Sequence, residues 1–194
     1  MKMLFFPLLV FSIVMQSCQG QSASKEVFSK EFNWTIKIPA GFESVPTEQW
    51  KKLQNKGAAA VEKTYDAKAE NHATALFVFR SDQFNYFESN HQPFDVKKDG
   101  DYLESFRDVS NMLYGTFEAQ MPQAKLDTSY FQETISGKQF HGFKVAITFP
   151  NKMVMEWLLY SRLFGNKEFT VNIMTVDKEK QKLLLDAWRQ SKFK

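Results

Sequence analysis

The chain has 194 residues, of which 43% are hydrophobic and 24% charged, and these are the proportions of an ordinary globular domain. Its 20 Phe, 6 Tyr and 4 Trp exclude disorder throughout, and a net charge of +3 without a dense Lys/Arg block predicts that nucleic acid is not a partner. The single cysteine excludes an intramolecular disulfide and a cysteine-based zinc site.

The chain begins with a short apolar stretch behind one positive charge. Lys2 precedes a run from Met3 to Met15 that is interrupted only by Pro7 and Ser12. A helix needs about 20 residues to cross a bilayer, so this run is too short to be a membrane span. Its length is typical of the hydrophobic region of a secretory signal.

The apolar run is followed by Ser17 and Cys18, and here the chain resembles a bacterial lipoprotein signal. In that family a small residue precedes the cysteine, which becomes the acylated N-terminus after cleavage. The resemblance implies a signal peptide at 1–17, lipidation of Cys18 and a flexible polar tether at 18–26. It also implies a protein of the bacterial cell envelope, held in the membrane through Cys18 on the periplasmic side or in the outer membrane. The alternatives are cleavage further along the chain and a buried thiol.

Short strands and one helix are predicted in the first third of the domain. Phe28 to Glu31 is a strand candidate, and Trp34 to Ile38 alternates apolar and polar residues as a half-buried strand does. Thr47 is predicted to cap a helix that runs from Glu48 to about Lys68. Gly57 lies on the apolar stripe of that helix, where it would allow a close approach to a sheet.

The remaining elements follow in a regular succession. Thr74 to Arg80 is apolar on both faces and predicts a strand covered on both sides. A second helix is predicted from Asp101 to Met121, and a last helix follows a cap at Asp177. Four strands separated by short turns, which allow only antiparallel neighbours, are predicted between these helices: Leu126–Ile135, Gln139–Phe149, Met153–Phe164 and Glu168–Val176.

This order of elements, with Ile36 to Glu43 (IKIPAGFE) after the first strands and Trp188 to Phe193 (WRQSKF) at the end, is similar to the Mog1/PsbP/DcrB-like superfamily. The resemblance implies an α+β fold, a three-layer α/β/α sandwich around an antiparallel sheet of about six strands, as a single domain over 27–194. The DcrB branch consists of envelope lipoproteins, in agreement with Cys18. Other members include a photosystem subunit and a GTPase-binding factor, so the fold alone does not define a function.

No catalytic or cofactor motif is present in the sequence. His72, His91 and His141 lie in different segments without zinc-ligand spacing. There is no nucleophile elbow, phosphate-binding loop or dinucleotide-binding turn. We therefore expect no cofactor, no metal and no enzymatic activity.

One aromatic segment departs from the periodic pattern of its neighbours. Phe84, Tyr86, Phe87 and Phe94 lie in a stretch with neither a helical nor an alternating period, which predicts a loop. Aromatic rings on a loop are good anchors for a protein partner, so these four residues are candidate binding residues. The alternative is that the loop folds its rings onto the sheet as a small satellite core.

Two functions remain open from the sequence. The first is a non-enzymatic, membrane-tethered envelope protein that acts through contacts with another envelope protein. The alternative is a binder of a small molecule or lipid in a cleft between a helix layer and the sheet. An exposed aromatic patch would favour the first function, and a large closed apolar cavity the second.

Overall fold

The computed structural model describes residues 25–66, 68 and 72–194, so the predicted signal, Cys18 and most of the tether lie outside the described residues. Ten strands and four helices form this part of the chain. The strands are β1 (Glu26–Ser29), β2 (Trp34–Lys37), β3 (Glu43–Ser44), β4 (Thr74–Asp82), β5 (Asn85–Pro93), β6 (Lys125–Ile135), β7 (Lys138–Thr148), β8 (Val154–Phe164), β9 (Lys167–Thr175) and β10 (Lys192–Phe193). The helices are α1 (Thr47–Tyr65), α2 (Val96–Asp99), α3 (Tyr102–Gln120) and α4 (Lys178–Gln190).

The architecture is a three-layer sandwich, as predicted. Its middle layer is an antiparallel sheet of seven strands in the order β3-β4-β5-β9-β8-β7-β6, one strand more than the expected six. The helices α1 and α3 lie over one face of this sheet. The other face is covered by α4 together with a small sheet of order β1-β2-β10. In the described part of the chain, no helix has the length and apolar character needed to cross a membrane.

Two of the three predicted helix starts are confirmed. Asp101 accepts hydrogen bonds from the backbone N–H groups of Leu103 and Glu104, and Asp177 caps α4 in the same way. The predicted cap of α1 was wrong, because Thr47 is already helical and Pro46 occupies the N-cap without a side-chain bond. A proline ring fixes its own φ at a value suited to a helix start, so no capping side chain is needed to begin the turn.

The predicted inner face of α1 was also wrong. Leu53 and Tyr65 are 41% and 45% exposed, and an added Cβ at Gly57 would meet nothing within 4 Å. Among the residues of α1, Trp50 alone is buried. Apart from Trp50, the helix turns small and polar residues toward the sheet, because the sheet carries the polar side chains Glu88 and Asn172 beneath it.

The four-strand meander was predicted correctly, but β5 was missed. Residues 85–93 form a strand between β4 and β9, with Glu88 opposite Val78 on one side and Asn172 on the other. The segment was interpreted as a loop because Glu88 and Asn90 occupy buried positions where an alternating strand normally carries apolar residues. This inserted strand makes the sheet continuous from β3 to β6.

The main core is an aromatic cluster between the large sheet and the α4 layer. The indole of Trp34 on β2 lies 5.1 Å from the ring of Phe169 on β9 and 6.0 Å from that of Trp188 on α4. Phe193 on β10 stacks on Trp34 at 5.7 Å. Residues close to the two ends of the described domain therefore share one core.

The two-sided burial of β8 generates a stability prediction. Leu158 and Leu159 are 7% and 6% exposed on opposite faces, so Leu158→Ala and Leu159→Ala should each lower the free energy of unfolding by about 2–5 kcal/mol. Val154→Ala is the control on the same strand, where the side chain is 41% exposed and the loss should stay below about 1 kcal/mol. Urea denaturation of the three variants measures this, and a loss below about 1 kcal/mol at either leucine would contradict packing on that face.

Candidate functional site

The aromatic segment proposed from the sequence is not a loop, and two of its four rings are buried. Phe87 is fully buried on β5, where its ring stacks on Phe79 with 4.5 Å between the centroids. Phe94, directly after β5, is 4% exposed and packs edge-on against Tyr102. Neither ring can reach a partner while the sheet is intact, so these two positions follow the alternative in which the rings fold onto the sheet, although Phe87 lies on a strand and not in a loop.

The other two rings lie nearer the surface but apart from each other. Phe84, in the turn between β4 and β5, is 44% exposed. Tyr86 is half-buried under α1, with its ring 4.9 Å from that of Trp50. Consecutive side chains of a strand point to opposite faces, which is why Tyr86 and Phe87 do not form one patch.

A buried polar cluster separates α1 from the sheet. The carboxylate of Glu88, 7% exposed, accepts hydrogen bonds from Gln54 of α1 at 2.8 Å and from Asn172 at 3.3 Å. Asn90 donates to the same carboxylate at 3.4 Å and accepts from Thr170 at 2.5 Å. Burial raises the pKa of Glu88, and these N–H donors counteract part of the rise.

A second polar chain continues this layer beneath the start of α3. Ser161 donates to Glu168 at 2.6 Å, and Gln92 donates to the other oxygen of the same carboxylate at 2.8 Å. The hydroxyl of Tyr102 lies 2.8 Å from that of Ser161, and burial raises the pKa of Tyr102. The carboxylate oxygens of Glu88 and Glu168 thus all accept hydrogen bonds from other side chains of the domain. This polar layer holds α1 and α3 on the sheet.

A surface depression of about 390 Å³ lies between α3 and the strands β6 and β7, and we call it the α3–β6 depression. The residues that matter for its chemistry come from three elements: Leu103, Phe106 and Arg107 of α3, Tyr130 and Gln132 of β6, and His141 of β7.

The apolar part of the α3–β6 depression is exposed at its rim and buried at its base. Tyr130 is 50% exposed and Leu103 38% exposed, whereas Phe106 is 5% exposed and packs 6.3 Å from the Tyr130 ring. Tyr130 also rests on Phe143, with 4.9 Å between the ring centroids. The depression is therefore a partly open extension of the core under α3.

The polar part of the depression carries positive charge. The Arg107 guanidinium is exposed and has no carboxylate partner among the described residues. Burial lowers the pKa of His141, and the charges of Arg162 and Arg107 lower it further, which favours the neutral imidazole. Gln132 contacts Nδ1 of His141 at 3.4 Å and accepts from Gln139 at 3.0 Å, which orients its carboxamide.

The strand that forms one wall of the depression is fixed from the opposite face. The ring of Phe131 lies over Gly142, where an added Cβ would come within 2.2 Å of it, and packs edge-on against Tyr160 at 5.2 Å. Position 142 therefore requires glycine. This contact holds β6 on β7 beside Tyr130 and Gln132.

A second depression of about 640 Å³ lies at the other edge of the sheet and is predominantly polar. Glu43 on β3 stands opposite Arg80 on β4. Although burial opposes it, the pKa of Asp82 is lowered by hydrogen bonds, including one from Lys180 at 2.7 Å. The described residues that line it include no aromatic side chain, so it is a weaker candidate for a protein-binding surface than the α3–β6 depression.

The histidines are not brought together. His91 lies 2.9 Å from Glu31, His141 lines the α3–β6 depression, and His72 is exposed before β4. Within residues 25–66, 68 and 72–194, no group of three or more His, Cys, Asp or Glu side chains could hold a metal ion. The sequence pattern did not indicate that His141 lies beside Arg107 and Tyr130, because the three residues belong to different elements.

Comparison with known proteins identifies the fold. Neither a scan of protein-family models nor a search of characterised proteins gives a match. Among solved structures, the chain is similar to the cyanobacterial PsbP protein (CyanoP) of Synechocystis sp. PCC 6803, with a TM-score of 0.56 and 14% identity over 93% of this chain and 99% of that chain. The Ran-binding protein Mog1p of Saccharomyces cerevisiae is similar with a TM-score of 0.39 and 11% identity over 88% of this chain and 95% of that chain. The described domain thus has a PsbP-like fold, as the resemblance in the sequence implied.

The different burial of two phenylalanines in the aromatic segment gives a direct test. Phe87→Ala should lower the free energy of unfolding by about 3–5 kcal/mol, because it empties a fully buried site in the core. Phe84→Ala is the matched control in the same segment and should cost less than about 1 kcal/mol. Chemical denaturation distinguishes the two sites, and a small loss in both variants would restore the exposed-loop interpretation.

Proposed function

We propose that this chain is a lipid-anchored, non-enzymatic binding protein of the bacterial envelope, which contacts a protein partner through the surface around the α3–β6 depression. The observation that carries the proposal is the exposed pair Leu103 and Tyr130 beside Arg107, a cation without a carboxylate partner among the described residues. Protein interfaces are enriched in Tyr and Arg, and such residues contribute much of the binding free energy.

The anchor is supported by the beginning of the sequence. A positive residue, a short apolar run and Ser17-Cys18 occur in the order that lipoprotein signals have, and the chain contains no other cysteine. The first strand starts at Glu26, so a polar tether of a few residues would join Cys18 to the folded domain.

The shape of the surface favours a protein partner over a small ligand. Sites for drug-sized ligands enclose most of the ligand surface in a cleft. The α3–β6 depression lies between a helix and the sheet, as the alternative function requires, but it is open to solvent. A protein surface can cover such an open depression and bury the side chains on its rim.

The anchor is tested by a single substitution. Cys18→Ala should move the protein from the detergent phase to the aqueous phase in a phase-separation assay, because the acylated cysteine would be lost. Circular dichroism of the aqueous protein is the control for folding. A wild-type protein that is already aqueous and begins after Cys18 would contradict the anchor.

The binding surface is tested by site-specific crosslinking in intact cells. A photoreactive phenylalanine in place of Tyr130 should give a defined crosslinked product, because Tyr130 borders the proposed contact. The matched control is the same replacement of Phe28, which is also 50% exposed but lies on β1 on the opposite layer. A product from position 28 and none from position 130 would show that another surface binds the partner.

A further inference from the structure

One wall of the α3–β6 depression is formed by β6, which lies at the edge of the large sheet. β6 is the terminal strand of the large sheet and pairs with β7 along eleven residues, from Lys125 to Ile135. Its outer side therefore presents backbone N–H and C=O groups that no other strand of the described residues pairs. An edge strand of this length is a ready template for another extended chain.

The centre of this edge lacks the charges that commonly protect such strands. The segment Thr128 to Gln132 is uncharged, and the charged residues of the strand lie outside it, at Lys125, Asp127 and Glu133. Lys125 and Asp127 pair with each other at 3.0 Å, and Glu133 is held by Arg189 at 2.6 Å. Charge repulsion thus does not oppose pairing over the central five residues.

The depression opens along this same uncharged segment. Tyr130 and Gln132 line it from β6, while Phe131 between them is anchored on the opposite face. In an added strand, every second side chain would lie about 4.5–5.5 Å from the side chain opposite it on β6. These alternate side chains would cover the depression, and Tyr130 and Gln132 would be their neighbours.

The charge of the depression selects the chemistry of the added strand. Arg107 is cationic, and no carboxylate of the described residues lines the depression. A guanidinium forms its strongest hydrogen bonds with a carboxylate, which it can bind in a bidentate geometry. Leu103, one helical turn before Arg107, and Tyr130 on β6 line the same depression and offer exposed apolar contact.

We propose that the partner contributes an extended segment that adds to β6 as a strand, with a carboxylate on Arg107 and apolar side chains two residues away on either side. This inference rests on the proposed function and specifies how its partner is recognised. Main-chain hydrogen bonds to the outer edge of Thr128 to Gln132 supply affinity, and the depression supplies selectivity.

A second copy of this chain fits the edge less well. The acidic residue Glu133 lies on the face where Tyr160 donates to it, away from Arg107. A symmetric pairing of two β6 strands would also bring a second Arg107 to the same face of the extended sheet. The copy would therefore offer a like charge and no carboxylate where the depression requires one.

The test uses a capped heptapeptide with threonine at odd positions and valine, glutamate and valine at the even ones, so that its alternate side chains match the proposed pattern. In an NMR titration of the isotopically labelled domain, the peptide should shift the amide signals of residues 128–132 and bind with a dissociation constant of about 1 mM or tighter.

The Arg107→Gln variant should bind this peptide at least tenfold more weakly. Arg80→Gln, which removes an equal charge at the opposite edge, should leave binding unchanged. A peptide with lysine in place of glutamate should also bind at least tenfold more weakly.

Backbone methylation separates strand addition from simple charge attraction. A heptapeptide with the same side chains but N-methyl groups on alternate residues of its β6-facing edge should lose binding, because it cannot donate to the strand. Equal binding of the methylated and unmethylated peptides, equal binding of the lysine peptide, or no binding of the glutamate peptide would each overturn the inference. Concentration-dependent dimerisation that Arg107→Glu enhances would instead assign the edge to a second copy.

The crosslinking result shows which proposal fails. If the glutamate peptide does not bind while Tyr130 still captures a partner in cells, the surface is used but strand addition is wrong. If neither peptide nor cellular partner contacts position 130, both the inference and the proposed function are wrong.

Discussion

The burial of Trp34 between the two sheets is the interaction on which the domain depends most. Its ring contacts Phe169 of the large sheet, Trp188 of α4 and Phe193 of the last strand, so one side chain joins three separate regions of the chain. Large aromatic side chains each remove about 150–250 Å² from water, and this burial outweighs the cost of leaving the indole N–H groups of Trp34 and Trp188 without a partner among the described residues. Because β2 pairs with β1 and β10, the same cluster holds both ends of the described domain together.

The opposite face of the sheet is apolar under α3 and polar under α1, and this difference gives the two helices different roles. α3 packs over an apolar cluster that includes Phe106, Trp157 and Leu159, whereas α1 is attached to the sheet through Trp50 and the Gln54–Glu88 hydrogen bond. The Tyr65 hydroxyl also joins α1 to α3 by donating to the Met112 carbonyl at 2.9 Å. A buried carboxylate that is bound by neutral amides contributes specificity of position more than stability, since its desolvation offsets most of the hydrogen-bond energy. α3 provides one wall of the depression, and α1 completes the cover over the same face of the sheet.

The elements with one clear period were predictable from the sequence, and those that combine two environments were not. β7 shows simple alternation and β8 a continuous apolar run between short turns, and the predicted bounds of both agree with the structure to within a few residues. The start of α4 after Asp177 was also predicted correctly. β5 was not predicted, because Phe87 faces the aromatic core while Glu88 faces the polar cluster, and a buried polar side chain breaks the pattern that identifies a strand.

The α3–β6 depression could not be predicted from the sequence for a related reason. Arg107, Tyr130 and His141 come from three elements, and only the pairing of β6 with β7 and the packing of α3 bring them together.

The position of the depression agrees with the proposed attachment at Cys18. The chain enters the domain at β1, which belongs to the small sheet on the α4 side, whereas the α3–β6 depression lies on the other face of the large sheet. An extended tether spans at most about 3.3–3.6 Å per residue, so the few residues between Cys18 and β1 would keep the α4 side close to the lipid. The α3 side would then face away from the membrane. In that orientation both the outer edge of β6 and the exposed guanidinium of Arg107 would be accessible to another protein, and neither would have to be withdrawn from lipid before it binds.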